Sequence, residues 1–273
     1  MVFITIMSHK KYIIFLAIIF WLPVLYGQTY LEVNFFDIGQ GDSIFIETPE
    51  GKQILIDGGP SNLVLEKLSQ EMSFWDRKID LVILTHPDAD HLTGLVAVLK
   101  RFDVGQILIG GGRGNDATYA EWQRVISEKN ILVQPAAAGQ KIILGSEIEM
   151  EILWPEQPLT EKGTNDNSVV ARLVYNQAEF LLTGDITSKV EDKLKGDLES
   201  DVLKVAHHGS RYSSDSGFIQ KVNPKISVIS VGENNFGHPH PDTLERLRET
   251  LIYRTDLSGD IKMKTDGLEL KIN

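Results

Sequence analysis

The chain contains no cysteine in its 273 residues. That absence excludes a disulfide framework, a thiolate metal site and a lipid-modified cysteine near the amino terminus. Any metal ion must be held by histidine, aspartate, glutamate, asparagine or water. Positive charge is also scarce, with 27 lysines and arginines against 38 acids and a net charge of −11. The first 27 residues contain Lys10 and Lys11 and no acid, so removing those two charges from the total leaves −13 on residues 28–273. A generic nucleic-acid binder presents a basic face, which this balance does not supply. Carboxylates neutralised by bound cations would account for part of the excess. Apolar residues make up 42% of the chain and the mean hydropathy is −0.09, as in a soluble globular protein with an ordinary core.

Long apolar runs are equally rare. The longest, YIIFLAIIFWLPVL at residues 12–25, is short for a membrane span of about 20 residues. With Lys10 and Lys11 before it and the small Gly27 after it, it reads as a signal peptide over residues 1–27, ahead of a single domain over residues 28–273. The expectation is a secreted or periplasmic protein; retention as an uncleaved membrane anchor is the alternative.

The chemistry concentrates at residues 79–94, IDLVILTHPDADHLTG. Leu81, Val82, Ile83 and Leu84 have the character of a strand buried on both faces. At Thr85 the run stops, and His86, Asp88, Asp90 and His91 follow within six positions. A buried strand that ends in ligand-type residues places them at the carboxyl edge of a sheet, where α/β proteins put their sites. Imidazole and carboxylate suit Zn²⁺, Mn²⁺ and Fe²⁺. Four such residues are too crowded for one tetrahedral ion, which points to two ions sharing the loop. The plainer alternative, a turn in which Asp90 caps the following helix, needs one carboxylate and no histidine.

THPDADHLTG resembles the HxHxDH signature of the metallo-β-lactamase fold, in the HxDxDH form of the hydrolase domain of ComEC-type competence proteins. FFDIGQGDSIFI, ILIDGG, NDNSVV, FLLTGDI, DVLKVAHHGS and FGHPHP match the same subgroup in the same order. The resemblance covers essentially the whole chain after the leader. It implies a four-layer αββα sandwich of two mixed sheets.

The local patterns suit that architecture. Residues 30–38, 44–48 and 53–57 read as three antiparallel opening strands, with a helix near 63–71. A strand at 106–109 precedes Gly110, Gly111, Gly112 and Gly114, which read as a flexible loop because no Walker lysine follows. A helix is expected over 118–129, two or three strands over 131–154, and a mobile loop over 156–165. Then come a hairpin at 168–175 and 179–183, a helix at 187–195, strands at 201–206 and 226–231, helices near 218–222 and 242–249, and closing strands over 251–272.

Histidine is sparse, and its placement is informative. Apart from His9 in the leader, the six others form three pairs: His86 with His91, His207 with His208, and His238 with His240. Asp185 follows the apolar Phe180, Leu181 and Leu182; a carboxylate there can bridge two ions, and the resemblance implies that role. One of His207 and His208 supplies the last metal ligand by resemblance. His207 is preferred because it continues the strand, leaving His208 to the substrate or to a supporting position. The resemblance thus implies a metal set of His86, Asp88, Asp90, His91, Asp185 and His207. Relative to the broader superfamily, Asp88 stands where a histidine is usual, and no histidine lies between His91 and His207 to serve as the usual third. Such an oxygen-rich set makes Mn²⁺ a competitor of Zn²⁺.

Asp88 or Asp90 is placed to steer the proton of the nucleophile. His238 is a candidate proton donor or phosphoryl contact, and His240 shares the same alternatives, against a proline-fixed turn that caps a helix. Asn167 or Asp166, and Ser210, are candidate substrate or metal contacts. The expected function is a two-metal hydrolase that activates water, with a phosphodiester as substrate and DNA among the candidates. Hydrolysis of an ester, lactone or β-lactam is the first alternative; a noncatalytic surface binding module is the second.

Overall fold

The computed structural model describes residues 30–156 and 165–273. The expected leader and most of the polar segment at 156–165 lie outside the described residues. Strands Leu31–Phe35 (β1), Ile44–Glu47 (β2) and Gln53–Ile56 (β3) form the antiparallel opening. Helix Leu63–Glu71 (α1) leads to Lys78–Leu84 (β4), Ala89–Arg101 (α2) to Asp103–Ile109 (β5), and Ala117–Lys129 (α3) to Leu132–Pro135 (β6). From β4 to β6 each strand pairs in parallel with the one before.

The second half opens with antiparallel strands Lys141–Ile143 (β7), Ile148–Trp154 (β8), Val170–Tyr175 (β9) and Ala178–Leu182 (β10). Short helix Ser188–Glu191 (α4), strand Val202–Lys204 (β11), helix Ser216–Val222 (α5), strand Ile226–Ile229 (β12), helix Pro241–Arg246 (α6) and strand Leu251–Arg254 (β13) follow, with β10 to β13 parallel. A helical turn, Thr255–Ser258 (α7), carries the chain back to the first sheet, where Ile261–Thr265 (β14) pairs with β1 and Leu270–Ile272 (β15) closes the edge. Among the described residues the strands form an eight-stranded sheet, β15-β14-β1-β2-β3-β4-β5-β6, and a seven-stranded sheet, β13-β12-β11-β10-β9-β8-β7.

The sheets pack face to face. Val33, Phe35, Ile54 and Ile83 of the first meet Met150, Ile152, Leu173 and Phe180 of the second in a shared core. On the outer face of the first sheet, Phe45, Leu55 and Val82 pack on Leu68, Leu95, Leu99 and Trp122 of α1 to α3. On the outer face of the second, Leu181, Leu203 and Ile229 pack on Val190, Phe218, Val222 and Leu247. The result is the expected αββα sandwich, and β4 is buried on both faces because a helix layer covers one and a sheet the other. Among the described residues no helix is long and apolar enough to cross a membrane.

Three local expectations change. The helix expected over 187–195 is a single turn, Ser188–Glu191, because the chain must drop to Leu194 and Leu198 to cover the core before β11 begins. The helix expected at 242–249 is Pro241–Arg246, started by the proline whose fixed φ suits a first helical position. The glycines at 110–111 serve close packing rather than flexibility. A Cβ on Gly110 would lie 1.9 Å from the Thr85 carbonyl oxygen, and one on Gly111 2.9 Å from the Asn167 side chain. The same Cβ on Gly110 would also meet the Asn167 carbonyl oxygen at 2.7 Å, and these contacts with Asn167 join the edges of the two sheets, as does the hydrogen bond from the Val169 N–H to the Thr85 carbonyl (3.1 Å).

Candidate metal centre

The parallel strands β3, β4 and β5 all end at one edge, and α2 begins there. Asp88 occupies the cap position of α2, which puts Asp90 and His91 in its first turn. Helix α2 approaches the edge closely because Gly94 lies against Gly58; a Cβ on Gly94 would sit 1.9 Å from the Gly58 carbonyl oxygen. At the end of β3, Asp57 is held with φ 58° and turns its carboxylate into the protein. It accepts hydrogen bonds from the Thr85 N–H (2.8 Å) and the Thr85 hydroxyl (2.6 Å), and it binds His91 Nδ1 at 2.7 Å. The His91 ring is thereby fixed with Nε2 facing Asp185 Oδ2 at 3.3 Å and Asp90 Oδ2 at 3.8 Å. His86 lies alongside, 4.1 Å from His91 between ring centroids. Its Nδ1 contacts the hydroxyls of Thr85 (3.1 Å) and Ser168 (3.2 Å), and its Nε2 lies 3.6 Å from Asp88.

The second sheet supplies the opposing groups. Asp185 follows Gly184, whose φ is 52°, and its N–H donates to the Ser168 hydroxyl at 3.1 Å. After β11 the chain makes a tight turn, Ala206–Gly209, in which His207 and His208 both adopt left-handed backbone angles. Two consecutive left-handed residues break the alternation of a strand, so the residue that continues β11 in sequence does not continue it in space. His208 Nδ1 is anchored on the Ser230 carbonyl at 2.8 Å; its Nε2 reaches Asp185 Oδ2 at 3.2 Å and Asp90 Oδ2 at 3.3 Å. His207 instead directs Nε2 to the Asn165 side chain at 3.2 Å and packs its ring 5.5 Å from His238. The preference for His207 is therefore corrected: His208 is the histidine that meets Asp90, His91 and Asp185.

Three groups in the site were not singled out from the sequence: Asp57, which braces His91, and the pair Lys204 and Asp42. Lys204, at the end of β11, is fully buried. It pairs with Asp42, donates to the Gly184 carbonyl at 3.0 Å and lies 3.5 Å from Asp185 Oδ1. Asp42 also lies 3.4 Å from His208 Nδ1 and 4.0 Å from His91 Nδ1. The available signal was a lysine inside the otherwise apolar DVLKVA, and a GQGD turn followed directly by a buried strand.

Four groups, Asp90, His91, Asp185 and His208, bring one nitrogen or oxygen each to within 4.8 Å of one another. His91 Nε2 and His208 Nε2 are buried there with no hydrogen-bond partner among the described residues, and Asp185 Oδ2 faces both. Buried nitrogen atoms left in this state are costly, and a cation between them satisfies them. Burial alone would lower the pKa of His91 and raise that of Asp185. The surrounding charges outweigh it: Asp185 and Asp57 hold His91 well above the usual imidazole range. His208, His91 and Lys204 in turn hold Asp185 well below the carboxylate range. Asp90, more exposed, is held at about 2 against the effect of burial by His208 and His91. Such strong mutual attraction marks a place where a divalent ion exchanges for imidazole protons. Two imidazoles and two carboxylates fit Zn²⁺, Mn²⁺ or Fe²⁺.

The other candidates divide. His86 and Asp88 flank the four-residue cluster from the α2 side. Asp166 is committed elsewhere, its Oδ1 accepting from the Thr187 N–H (3.2 Å) and hydroxyl (2.6 Å). Asn167 is buried at the seam, with its carbonyl accepting from the Gly111 N–H at 3.1 Å. The Ser210 hydroxyl accepts from the Tyr212 N–H at 3.3 Å and braces the turn. His240 caps α6 by accepting from the Asp242 N–H at 3.2 Å. His238 stays at the site, with its ring against His207.

The family model of the metallo-beta-lactamase superfamily matches residues 36–233. The chain is 29% identical over 256 residues to ComE operon protein 3 of Bacillus subtilis (strain 168), covering 85% of this chain and 33% of that protein. It is 30% identical over 250 residues to Competence protein ComA of Neisseria gonorrhoeae, covering 88% and 33%. It thus spans about a third of the length of these curated relatives. The solved metallo hydrolase Igni18 from Ignicoccus hospitalis KIN4/I is similar with a TM-score of 0.55 over 85% of this chain and 98% of that one. At 16% identity the likeness is one of fold.

Proposed function

The chain belongs to the metallo-beta-lactamase superfamily, and from that premise we propose that it is a phosphodiesterase or nuclease that works with two divalent ions, Zn²⁺ or Mn²⁺, outside the cytoplasm. The chain is a metal-dependent hydrolase of that superfamily. The observation that carries the proposal is the convergence of Asp90, His91, Asp185 and His208, with buried imidazole nitrogens on two of them that have no hydrogen-bond partner among the described residues. His86 and Asp88, with Asp185, are the proposed holders of the second ion. Ions so held supply Lewis acidity and bring the pKa of water down to about 7.

The chain's own groups do the rest. Asp57 fixes His91, and the Ser230 carbonyl fixes His208, so neither ring has to reorganise during turnover. Asp90, with its side chain 34% exposed, connects the buried cluster to solvent, and its low pKa keeps it ionised to orient an entering water. His238, lowered to about 4 by burial and by the neighbouring His207, meets substrate as a neutral imidazole. This favours hydrogen bonding to a phosphoryl oxygen over delivery of a proton from an imidazolium. Similarity to competence proteins and the oxygen-rich donor set support the phosphodiester over an ester, lactone or β-lactam. The basic amino-terminal leader supports action outside the cytoplasm, whether the leader is cleaved or retained as an anchor.

The test is turnover of bis(p-nitrophenyl) phosphate, single- and double-stranded DNA, p-nitrophenyl acetate and a lactone by metal-stripped protein resupplied with Mn²⁺ or Zn²⁺, beside Asp185→Ala. Phosphodiester cleavage restored by metal and lost in Asp185→Ala is expected. Turnover of the carboxylic esters alone, by protein that binds the ions, would overturn the reading.

A further inference from the structure

We propose that Phe236 is a base-stacking platform at the mouth of the metal cluster, so that the preferred substrate is single-stranded nucleic acid with an unpaired base laid on this ring. The proposal rests on the phosphodiester reading and sharpens it to a substrate class. Phe236 lies in the segment between β12 and α6 and is 74% exposed, although phenylalanine is among the residues most often buried.

Its loop is not loose. One side chain, Asn234, accepts from the N–H groups of Phe236 (3.0 Å) and His238 (3.1 Å) and donates to the carbonyls of Gly232 and His238, both at 2.8 Å. An apolar ring held out to solvent on a braced loop is already organised for a flat partner, so little ordering entropy remains to be lost on binding. Beside the ring, Gly237 has φ +75° and nothing within 4 Å of where a Cβ would stand, which leaves open ground for the partner.

The ring also points the way inward. Phe236 and His238 lie 5.8 Å apart with planes tilted by 31°, His238 lies 5.5 Å from His207, and His207 lies 6.2 Å from His208 of the cluster. A base on Phe236 would lie beside His238, whose ring adjoins His207 and through it His208 of the cluster, so the next phosphates of its strand are within reach of that row. The neighbouring segment contributes a cation. Gly209 packs on Pro239 and accepts from the His240 N–H at 2.9 Å. Two residues beyond, Arg211 lies 5.6 Å from the ring of Tyr212, itself 67% exposed.

Every base has a π face, so stacking adds affinity that does not depend on the net charge of −11, while the phosphates still need cations such as Arg211 or bound metal ions. A duplex has its bases stacked internally and offers none to the ring.

The experiment measures binding of fluorescent oligothymidylate, and of a strand of equal length lacking bases, by anisotropy to the full chain, to Phe236→Ala, Phe236→Leu and Phe236→Trp. Thermal unfolding of each protein verifies the fold. Phe236→Ala and Phe236→Leu are expected to weaken oligothymidylate on the order of tenfold or more and the abasic strand less than twofold, while Phe236→Trp retains affinity. Equal affinity of the unsubstituted chain for both strands, or equal losses on both in Phe236→Ala, would overturn the proposal. Hydrolysis of bis(p-nitrophenyl) phosphate by the unsubstituted chain separates the two levels. Hydrolysis without a base effect removes the stacking site alone. Base-dependent binding without hydrolysis of any phosphodiester removes the enzymatic reading and leaves Phe236 as a nucleic-acid contact.

Discussion

The two halves of the sandwich present ligands at the same edge by different means. In the first, β4 runs into a tight loop and the first turn of α2 delivers Asp90 and His91 with ordinary backbone angles. A neighbouring carboxylate, Asp57, fixes the imidazole. In the second, no helix starts where the ligand is needed; two left-handed residues swing His208 into the cluster, and a carbonyl fixes it. Left-handed backbone at a non-glycine residue costs of order 1–3 kcal/mol and persists only where the surroundings enforce it. Here they do so through the Ser230 carbonyl, Asp185 and the packing of Gly209 on Pro239. The first half is built from local pattern, the second from tertiary constraint.

The sharpest way to break that comparison is to remove each histidine of the second half in turn. His208→Ala takes away a buried nitrogen of the four-residue set and is expected to lower both bound metal and metal-dependent turnover by about 100-fold or more. His207→Ala, whose ring faces Asn165 and His238, is expected to leave metal content intact and to alter substrate use. Metal analysis of the two purified variants, alongside turnover, decides it; loss of metal in His207→Ala with retention in His208→Ala would restore the strand-continuation assignment.

The halves also differ in how they balance charge. Lys204, fully buried at the end of β11, neutralises Asp42 and Asp185. Removing one partner of a buried ion pair destabilises by about 3–5 kcal/mol because the other charge is left uncompensated. Lys204→Met is therefore expected to lower the unfolding free energy by about that amount in chelator, and to regain part of it when Mn²⁺ or Zn²⁺ is added, since a cation can take up the freed carboxylate. Denaturant titration with and without metal measures both; a loss below about 1 kcal/mol would mean the ammonium is not holding the carboxylates.

This difference explains what was legible in the sequence. β4, α2 and the histidine–aspartate loop announce themselves through a short apolar run, a period change and clustered ligands, and helix α1 over 63–71 falls where its pattern places it. Phe180, Leu181 and Leu182 likewise delivered Asp185 to an edge. The choice between His207 and His208 was not legible, because it depends on backbone angles that residue type does not encode for histidine. Lys204 read as one charge in a strand, and its partner Asp42 lies 162 positions away in sequence, so nothing local could join them. The glycines at 110–111 looked like slack because the groups that need the space, Thr85 and Asn167, come from other elements.

In the first half the bracing group is itself testable. Asp57→Asn keeps the shape and the hydrogen bond from the Thr85 N–H to Oδ1, but presents an amide N–H₂ towards His91 Nδ1 and the Thr85 hydroxyl, which turns the imidazole to its other tautomer or releases the ring. Metal affinity is expected to fall by 10- to 100-fold, read by competition with a chromophoric chelator. Unchanged affinity would show that α2 positions His91 without help, making the first half entirely local in origin.

The smallest effect separates histidines that Asp185 raises from one in which burial and neighbouring imidazoles outweigh it. His91 and His208 are raised by Asp185, whereas His238 is lowered to about 4 by burial and by the nearby His207 and His208. In the unfolded chain His238 titrates near the ordinary 6.5. Between pH 6.5 and 4 the unfolded form takes up a proton that the folded form refuses, so His238 draws stability down as pH falls through that window and costs nothing at neutral pH. His238→Asn removes this drain. In chelator, its stability relative to the unsubstituted chain is expected to rise steadily from pH 7 to pH 4.5, by a modest amount because the ring is only half buried. Urea unfolding at three pH values measures the slope. A constant offset at every pH would mean that His238 accepts its proton normally, and the contrast between raised and lowered histidines at this edge would lose its electrostatic basis.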